Sequence, residues 1–203
     1  MPVTSKTQIA NKALVKIGAK RITDLADNSN TNARTCNEVF DQIAEEVIRS
    51  GEWNCLKTRA VLPQTTTPEF GWEFAYLLPE DCARVIKLNG TYNDAEPGDT
   101  YEIEGRSLLT NADEGKIQYV KLEFNVAQWD ALLIAAVATR LASEIVTALR
   151  VDDGQASQKL LAEYEQVHLP RARVKDGNER KKIRRNPADE SRFVQSRRYS
   201  TNG

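Results

Sequence analysis

The side chains able to carry chemistry are few and scattered. His168 is the only imidazole in 203 residues, so a Ser-His-Asp or Cys-His arrangement has one possible base. It precedes Leu169-Pro170, where an imidazolium also favours the negative end of a helix, and capping or packing is the better reading. Carboxylate pairs stand at Glu45/Glu46, Glu80/Asp81 and Glu102/Glu104. General acid–base work needs two carboxyls in one cleft with environments that separate their pKa values. Glu45 and Glu46 fall on the polar side of a helical repeat, and Glu102 and Glu104 share a strand face beside Arg106. Solvated surface is the reading for each. Cys36, Cys55 and Cys82 are odd in number and far apart, and with one histidine they form no zinc pattern. No signal peptide is visible at the start, so they read as reduced, packed thiols of a cytosolic chain. No Gly-rich loop leads into a Lys-Ser/Thr pair to cradle a phosphate. Asn89-Gly-Thr91 reads as a turn rather than a glycosylation site. These residues predict no enzyme, cofactor or metal.

Charge is where the chemistry concentrates. Residues 171–203 hold 11 Lys/Arg against 4 Asp/Glu, leaving 17 of the 28 basic and 25 of the 29 acidic residues before them. The two parts therefore have opposite fields and different partners. Arginine outnumbers lysine 8 to 3 in the basic segment, which favours forked contacts to carboxylate or phosphate. Three uses are open: docking on an acidic protein surface, binding nucleic acid by counterion release with Phe193 or Tyr199 stacking, or a solvated tail. Docking is preferred once the charge is weighed with a family resemblance carried by other segments of the chain. Its expected contacts are Arg180, Lys181, Lys182, Arg184 and Arg185 as charges, with Phe193, Val194 and Tyr199 as apolar anchors.

The elements around these residues follow from periodicity. A first helix is predicted over 4–17, with Ile9, Ala13, Leu14 and Ile17 on one stripe and Gly18 as its cap. A second opens at Asn30 or Thr31 and closes at Gly51. Its stripe is Ala33, Cys36, Val39, Phe40, Ile43, Ala44, Val47 and Ile48. The opposite face, Glu38, Asp41, Gln42, Glu45, Glu46 and Arg49, reads as solvated or facing another subunit. A β region follows, with strands expected at 72–78, 84–88, 101–104 and 117–124, turns at Leu88-Asn-Gly-Thr91 and Glu96-Pro-Gly-Asp99, and an exposed Gln64–Thr67 loop. The third helix, 127–149, is apolar nearly all round. Its Ala131, Ala135, Ala138 and Ala142 would let another backbone approach, and Trp129 falls within it. Arg140 and Glu144 in its middle argue against a membrane span and for a bundle centre. A fourth helix capped by Asp152 or Asp153 should stop or kink at Pro170, after which the pattern dissolves. The expected fold is α+β: a helical bundle of residues 1–58 and 125–170, an inserted antiparallel β lobe at 59–124, and a basic, mobile docking arm at 171–203.

Several segments together resemble the tail tubular protein A family, the head-to-tail adaptors of short-tailed bacteriophages. They are Ile17-Gly18, a linker with Ile22 and Leu25, and Asn32-Ala33-Arg34 opening a helix that closes on Arg49-Ser50-Gly51-Glu52-Trp53. The run Trp72-Glu-Phe-Ala-Tyr-Leu-Leu-Pro-Glu-Asp81 with Arg84-Val85 is similar to a Tyr-Leu-Pro-x-Asp…Arg-Val stretch of such adaptors. The likeness spans residues 5–169, and the basic segment does not match residue by residue. It implies a non-enzymatic virion protein at the head–tail junction, made in the host cytoplasm. It also implies a ring, usually a dodecamer, between the portal protein and a tail nozzle protein similar to tail tubular protein B. Genomic DNA would pass the ring without specific binding, and no membrane would be involved; carboxylates of the second helix or the β lobe either line that channel and repel DNA or form a solvated face. The rival expectation is a nucleic-acid-binding regulatory protein that uses the basic segment.

Overall fold

The computed structural model describes residues 5–93, 100–150 and 154–178, and the fold is α+β. Helix α1, Lys6–Lys16, starts where the Ser5 side chain accepts the Gln8 N–H. It ends in a left-handed Gly18 (φ +67°). The Gly18 N–H reaches the Val15 carbonyl and the Ala19 N–H the Leu14 carbonyl, the paired closure that glycine permits at a helix end. Helix α2, Thr31–Ser50, is capped by the Asn30 side chain, which accepts from the N–H groups of Asn32 and Ala33. All of its predicted stripe is buried except half-buried Val39.

Helix α3, Ala131–Leu149, begins four residues later than predicted. Asp130 caps it by accepting the Leu133 N–H at 2.7 Å. Trp129 lies outside it, its indole N–H donating to the Glu123 carbonyl at 2.8 Å. An aspartate cap satisfies an orphan N–H that helical propensity alone would leave open. By length and mean hydropathy α3 could cross a membrane, but it packs against α1, α2 and helix α4, Gly154–Glu163. The alanine stripe faces the core only in its second half: Ala138 and Ala142 are buried, whereas Ala131 is exposed. The predicted cap at Asp152 or Asp153 lies outside the described residues.

The chain does not leave helical geometry at Pro170. A wide turn over Tyr164–His168, with the Leu169 N–H bonded to the Tyr164 carbonyl, leads into helix α5, Leu169–Asn178. Proline lacks an N–H and its ring crowds the carbonyl four residues back; a π-type turn just before it relieves that conflict. Ala172 is buried beyond the proline, and Lys175 Nζ lies 4.0 Å from Asp130. The bundle therefore runs on to Asn178, eight residues into the segment expected to be a separate arm.

The lobe has six short strands among the described residues: β1 Lys57–Val61, β2 Phe74–Leu77, β3 Cys82–Leu88, β4 Tyr101–Glu104, β5 Ser107–Thr110 and β6 Lys116–Lys121. They form two antiparallel sheets, ordered β1-β6-β3 and β2-β5-β4. Strands β1 and β5 were not expected; β2 is shorter than predicted, without Trp72, and β6 stops before Leu122. The Asn89-Gly90 turn has two positive φ values, 48° and 91°, the geometry that a tight hairpin turn requires. The predicted turn at Glu96-Pro-Gly-Asp99 lies outside the described residues. Ala83, Ile86 and Val120 of the first sheet join the bundle core, while Leu88, Ile117 and Tyr119 join Tyr76 and Leu108 in a second core. The first sheet is thus the middle of three layers, with the bundle on one side and the second sheet on the other.

Candidate functional site

The bundle and lobe are joined at the end of α2. Trp53 is 1% exposed, and its indole donates to the Val47 carbonyl at 2.9 Å. A Cβ on Gly51 would stand 2.9 Å from that indole nitrogen, so the glycine is required by close approach. One turn earlier, Arg49 donates through Nε to Glu45 at 2.8 Å and through Nη1 to the Ala83 carbonyl of β3 at 2.7 Å. The Tyr101 hydroxyl lies 3.4 Å from the next alternate carbonyl, Val85. Strand β3 is the edge of its sheet, and these side chains occupy carbonyls that would otherwise invite another strand.

Between the edges of β3 and β4 opens a cleft of about 480 Å³, lined by Arg49, Arg84, Arg106, Tyr101, Cys82 and Ile103 among others. Gly105 (φ +57°) opens the two-residue β4–β5 turn and thereby sets Arg106 at the mouth. Arg106 donates to the Leu78 carbonyl at 3.3 Å and lies 3.6 Å from Glu80. Among the described residues nothing engages the Arg84 guanidinium in a hydrogen bond or ion pair. Burial pushes the Cys82 thiol up to about 11, with the charge of Asp81 adding to it. Burial likewise raises Tyr101. Both stay protonated at neutral pH, so the charged groups of the lining are Arg84, Arg106 and Glu80, with Arg49 offset by Glu45.

The other sequence-level candidates are accounted for inside the fold. Glu46 takes Arg140 through both oxygens, at 2.9 and 3.1 Å, and Arg140 also reaches Glu144 at 2.8 Å. Burial disfavours that guanidinium charge, but the bonds to Glu46 and Glu144 outweigh it and raise the pKa. Asp41 pairs with Lys6. The outer face of α2, expected to be solvated or subunit-facing, is exposed at Glu38, Asp41, Gln42, Glu46 and Arg49, and Asp41, Glu45 and Glu46 form ion pairs within the chain. Glu102 accepts the Trp72 indole N–H at 3.2 Å, and Asp81 accepts the Tyr119 hydroxyl at 3.1 Å. His168 lies 3.1 Å from Glu163, which Lys16 of α1 also meets at 2.7 Å; the imidazole helps tie α4 to α1. No group of three His, Cys, Asp or Glu among the described residues converges to hold a metal ion. Gln64 bridges to Tyr76 and Thr65 bonds to Ala75, so the exposed 64–67 loop extends the edge of β2.

The chain matches no protein-family model and no curated relative. The expected docking residues Arg180, Lys181, Lys182, Arg184, Arg185, Phe193, Val194 and Tyr199 lie outside the described residues. The cluster of Arg49, Arg84 and Arg106 was missed by sequence reasoning. Nothing in their spacing marks it, because two sheets and a helix end bring them together. The only available signal was indirect: Arg49 and Arg84 both belong to the stretches that carry the phage-adaptor resemblance.

Proposed function

We propose that this chain is a structural virion protein, a head-to-tail adaptor of a short-tailed bacteriophage. It forms a ring, a dodecamer in this reading, between the portal and the tail nozzle, with a channel for the ejected genome. The observation that carries the reading is the joint just described. Two of the stretches that resemble adaptors, the one closing on Arg49–Trp53 and the one made of Trp72–Asp81 with Arg84-Val85, come together where Arg49 bonds the carbonyl of Ala83, next to Arg84. These two parts of the resemblance thus fall on one joint between bundle and inserted lobe. The polar groups of the other candidates serve packing and capping, which suits an assembly protein. The basic segment, residues 179–203, is the portal clamp. Its arginines and lysines meet carboxylates, and Phe193, Val194 and Tyr199 supply apolar anchors.

The test compares the full chain with a version ending at Asn178, which keeps buried Ala172 and the whole bundle. Each is mixed with portal rings encoded by the same genome, with duplex DNA as competitor, and complexes are followed by sedimentation and electron microscopy. The full chain should decorate the portal as a ring, the shortened chain should not, and DNA should not compete. Preference of residues 179–203 for duplex, with no binding to the portal, would replace this reading by the nucleic-acid regulator.

A further inference from the structure

We propose that the cleft between the β3 and β4 edges binds the carboxylate groups of an organic anion, supplied either by an acidic segment of a partner protein or as a free dicarboxylate. This goes beyond the adaptor reading and does not depend on it. Three observations carry it. The first is a local reversal of charge: residues 1–170 carry 17 basic and 25 acidic side chains, yet the cleft presents Arg84 and Arg106, beside an Arg49 already paired with Glu45, against Glu80. Such a concentration of one sign in a concave site focuses its field on an oppositely charged group.

The second is the state of the arginines. Arg49 is held by Glu45 and the Ala83 carbonyl and forms a fixed wall, its charge offset by Glu45. No hydrogen bond or ion pair engages the Arg84 guanidinium among the described residues. Arg106 makes one 3.3 Å contact, with Glu80 beyond hydrogen-bond range at 3.6 Å. A guanidinium offers five N–H groups in a planar fork that fits a carboxylate through two parallel bonds. Two available forks suit two carboxylates. Each is held on a strand or a two-residue turn, so little order has to be gained on binding.

The third is size and lining. About 480 Å³ lies in the range of pockets for organic ligands, roughly 300–1,000 Å³, and is far too large for a lone inorganic ion. Leu78, Pro79, Val85 and Ile103 supply apolar wall for a hydrocarbon stem. The protonated Tyr101 hydroxyl and Cys82 thiol add neutral polar groups without cancelling the positive charge.

The experiment titrates the full chain at low salt with glutarate, with an acetylated Glu-Glu-Leu amide and with inorganic phosphate, read by calorimetry. Variants are Arg84→Gln, Arg106→Gln and Arg21→Gln, the last an exposed arginine elsewhere, with circular dichroism to verify each fold. Glutarate or the tripeptide should bind in preference to phosphate, and Arg84→Gln should weaken that binding about tenfold, as expected for losing one charge-assisted pair. Arg21→Gln should change nothing. A tighter tripeptide assigns the site to a partner's acidic segment; equal or tighter glutarate assigns it to a free acid. The proposal is overturned if neither binds at millimolar concentration, if phosphate binds as well, or if Arg84→Gln binds like the parent.

Discussion

In the bundle, α3 alone contributes eleven buried residues, whereas the core shared by the two sheets has seven buried apolar residues in all. The bundle can therefore hold itself together, while the lobe leans on it: Ala83, Ile86 and Val120 of the first sheet are completed by helical side chains. Regions with few buried apolar contacts open at lower free energy. The lobe should thus be the part that adapts to partners and the bundle the part that holds shape. The cleft sits where the two regimes meet, with one wall from α2 and the others from sheet edges.

The largest effect that could break this contrast comes from truncating one core residue on each side. Leu141→Ala in α3 and Leu108→Ala in β5 both remove fully buried side chains, each costing about 2–5 kcal/mol. In urea, Leu141→Ala should lower the midpoint of the helical signal, while Leu108→Ala should chiefly shift near-ultraviolet signals of the lobe. Equal shifts of the helical midpoint would make bundle and lobe a single cooperative unit.

Next in size is a pair of glycines. A Cβ at Gly115 would stand 2.6 Å from the Tyr76 ring, and one at Gly51 2.9 Å from the Trp53 indole. Overpacking of this kind costs about 1–3 kcal/mol. Gly115→Ala should loosen the lobe with the helices intact. Gly51→Ala should disturb the joint and be visible in tryptophan fluorescence.

Alkaline pH should separate the regions more gently. Burial and the bond to Asp81 push Tyr119 up to about 12, above the unfolded tyrosine value of about 10. Its neutral form therefore adds stability that is full below about pH 10 and is lost as pH rises toward the folded value. The loss, on the order of 1–2 kcal/mol, should be confined to the lobe in an alkaline unfolding series and be absent in Tyr119→Phe.

The smallest effect lies at the α1–α4 contact. The hydrogen bond from Lys16 lowers the Glu163 pKa; burial opposes this, and the bond to His168 adds to the lowering. A lowered folded pKa adds stability that is complete above the ordinary glutamate range and fades as pH falls through the folded value. For a half-exposed pair this is at most about 1 kcal/mol. Acid titration of Glu163→Gln should show a slightly flatter loss of helix, and an unchanged acid limb would remove the pair from the stability of the bundle.

What was legible divides along the same line. The α2 stripe from Ala33 to Ile48, the Gly18 closure and the Asn89-Gly90 turn are local codes, written within one turn of helix or four residues of chain, and they could be read directly. Strand β5 could not: Ser107-Leu-Leu-Thr110 has no alternation, and only pairing with β2 and β4 makes it a strand. Strand β1 is similar, because Lys57-Thr-Arg-Ala-Val61 has little apolar character and is held by β6. Of the stop or kink expected at Pro170, the stop misled for a different reason. A breaker rule supposes regular α-geometry, and the turn before it departs from that geometry.

The amino-acid order by itself determined the first four helices, the apolar identity of α3, the insertion of a β lobe between α2 and α3, and the opposition of an acidic body to a basic segment. Those features depend on neighbours along the chain or on sums of charge. Tertiary structure alone decided that acidic residues of α2 would pair with Arg140 and Lys6, and that three arginines would share one cleft. Contacts between residues separated by dozens of positions depend on how layers stack and where sheet edges end, and no local spacing encodes that.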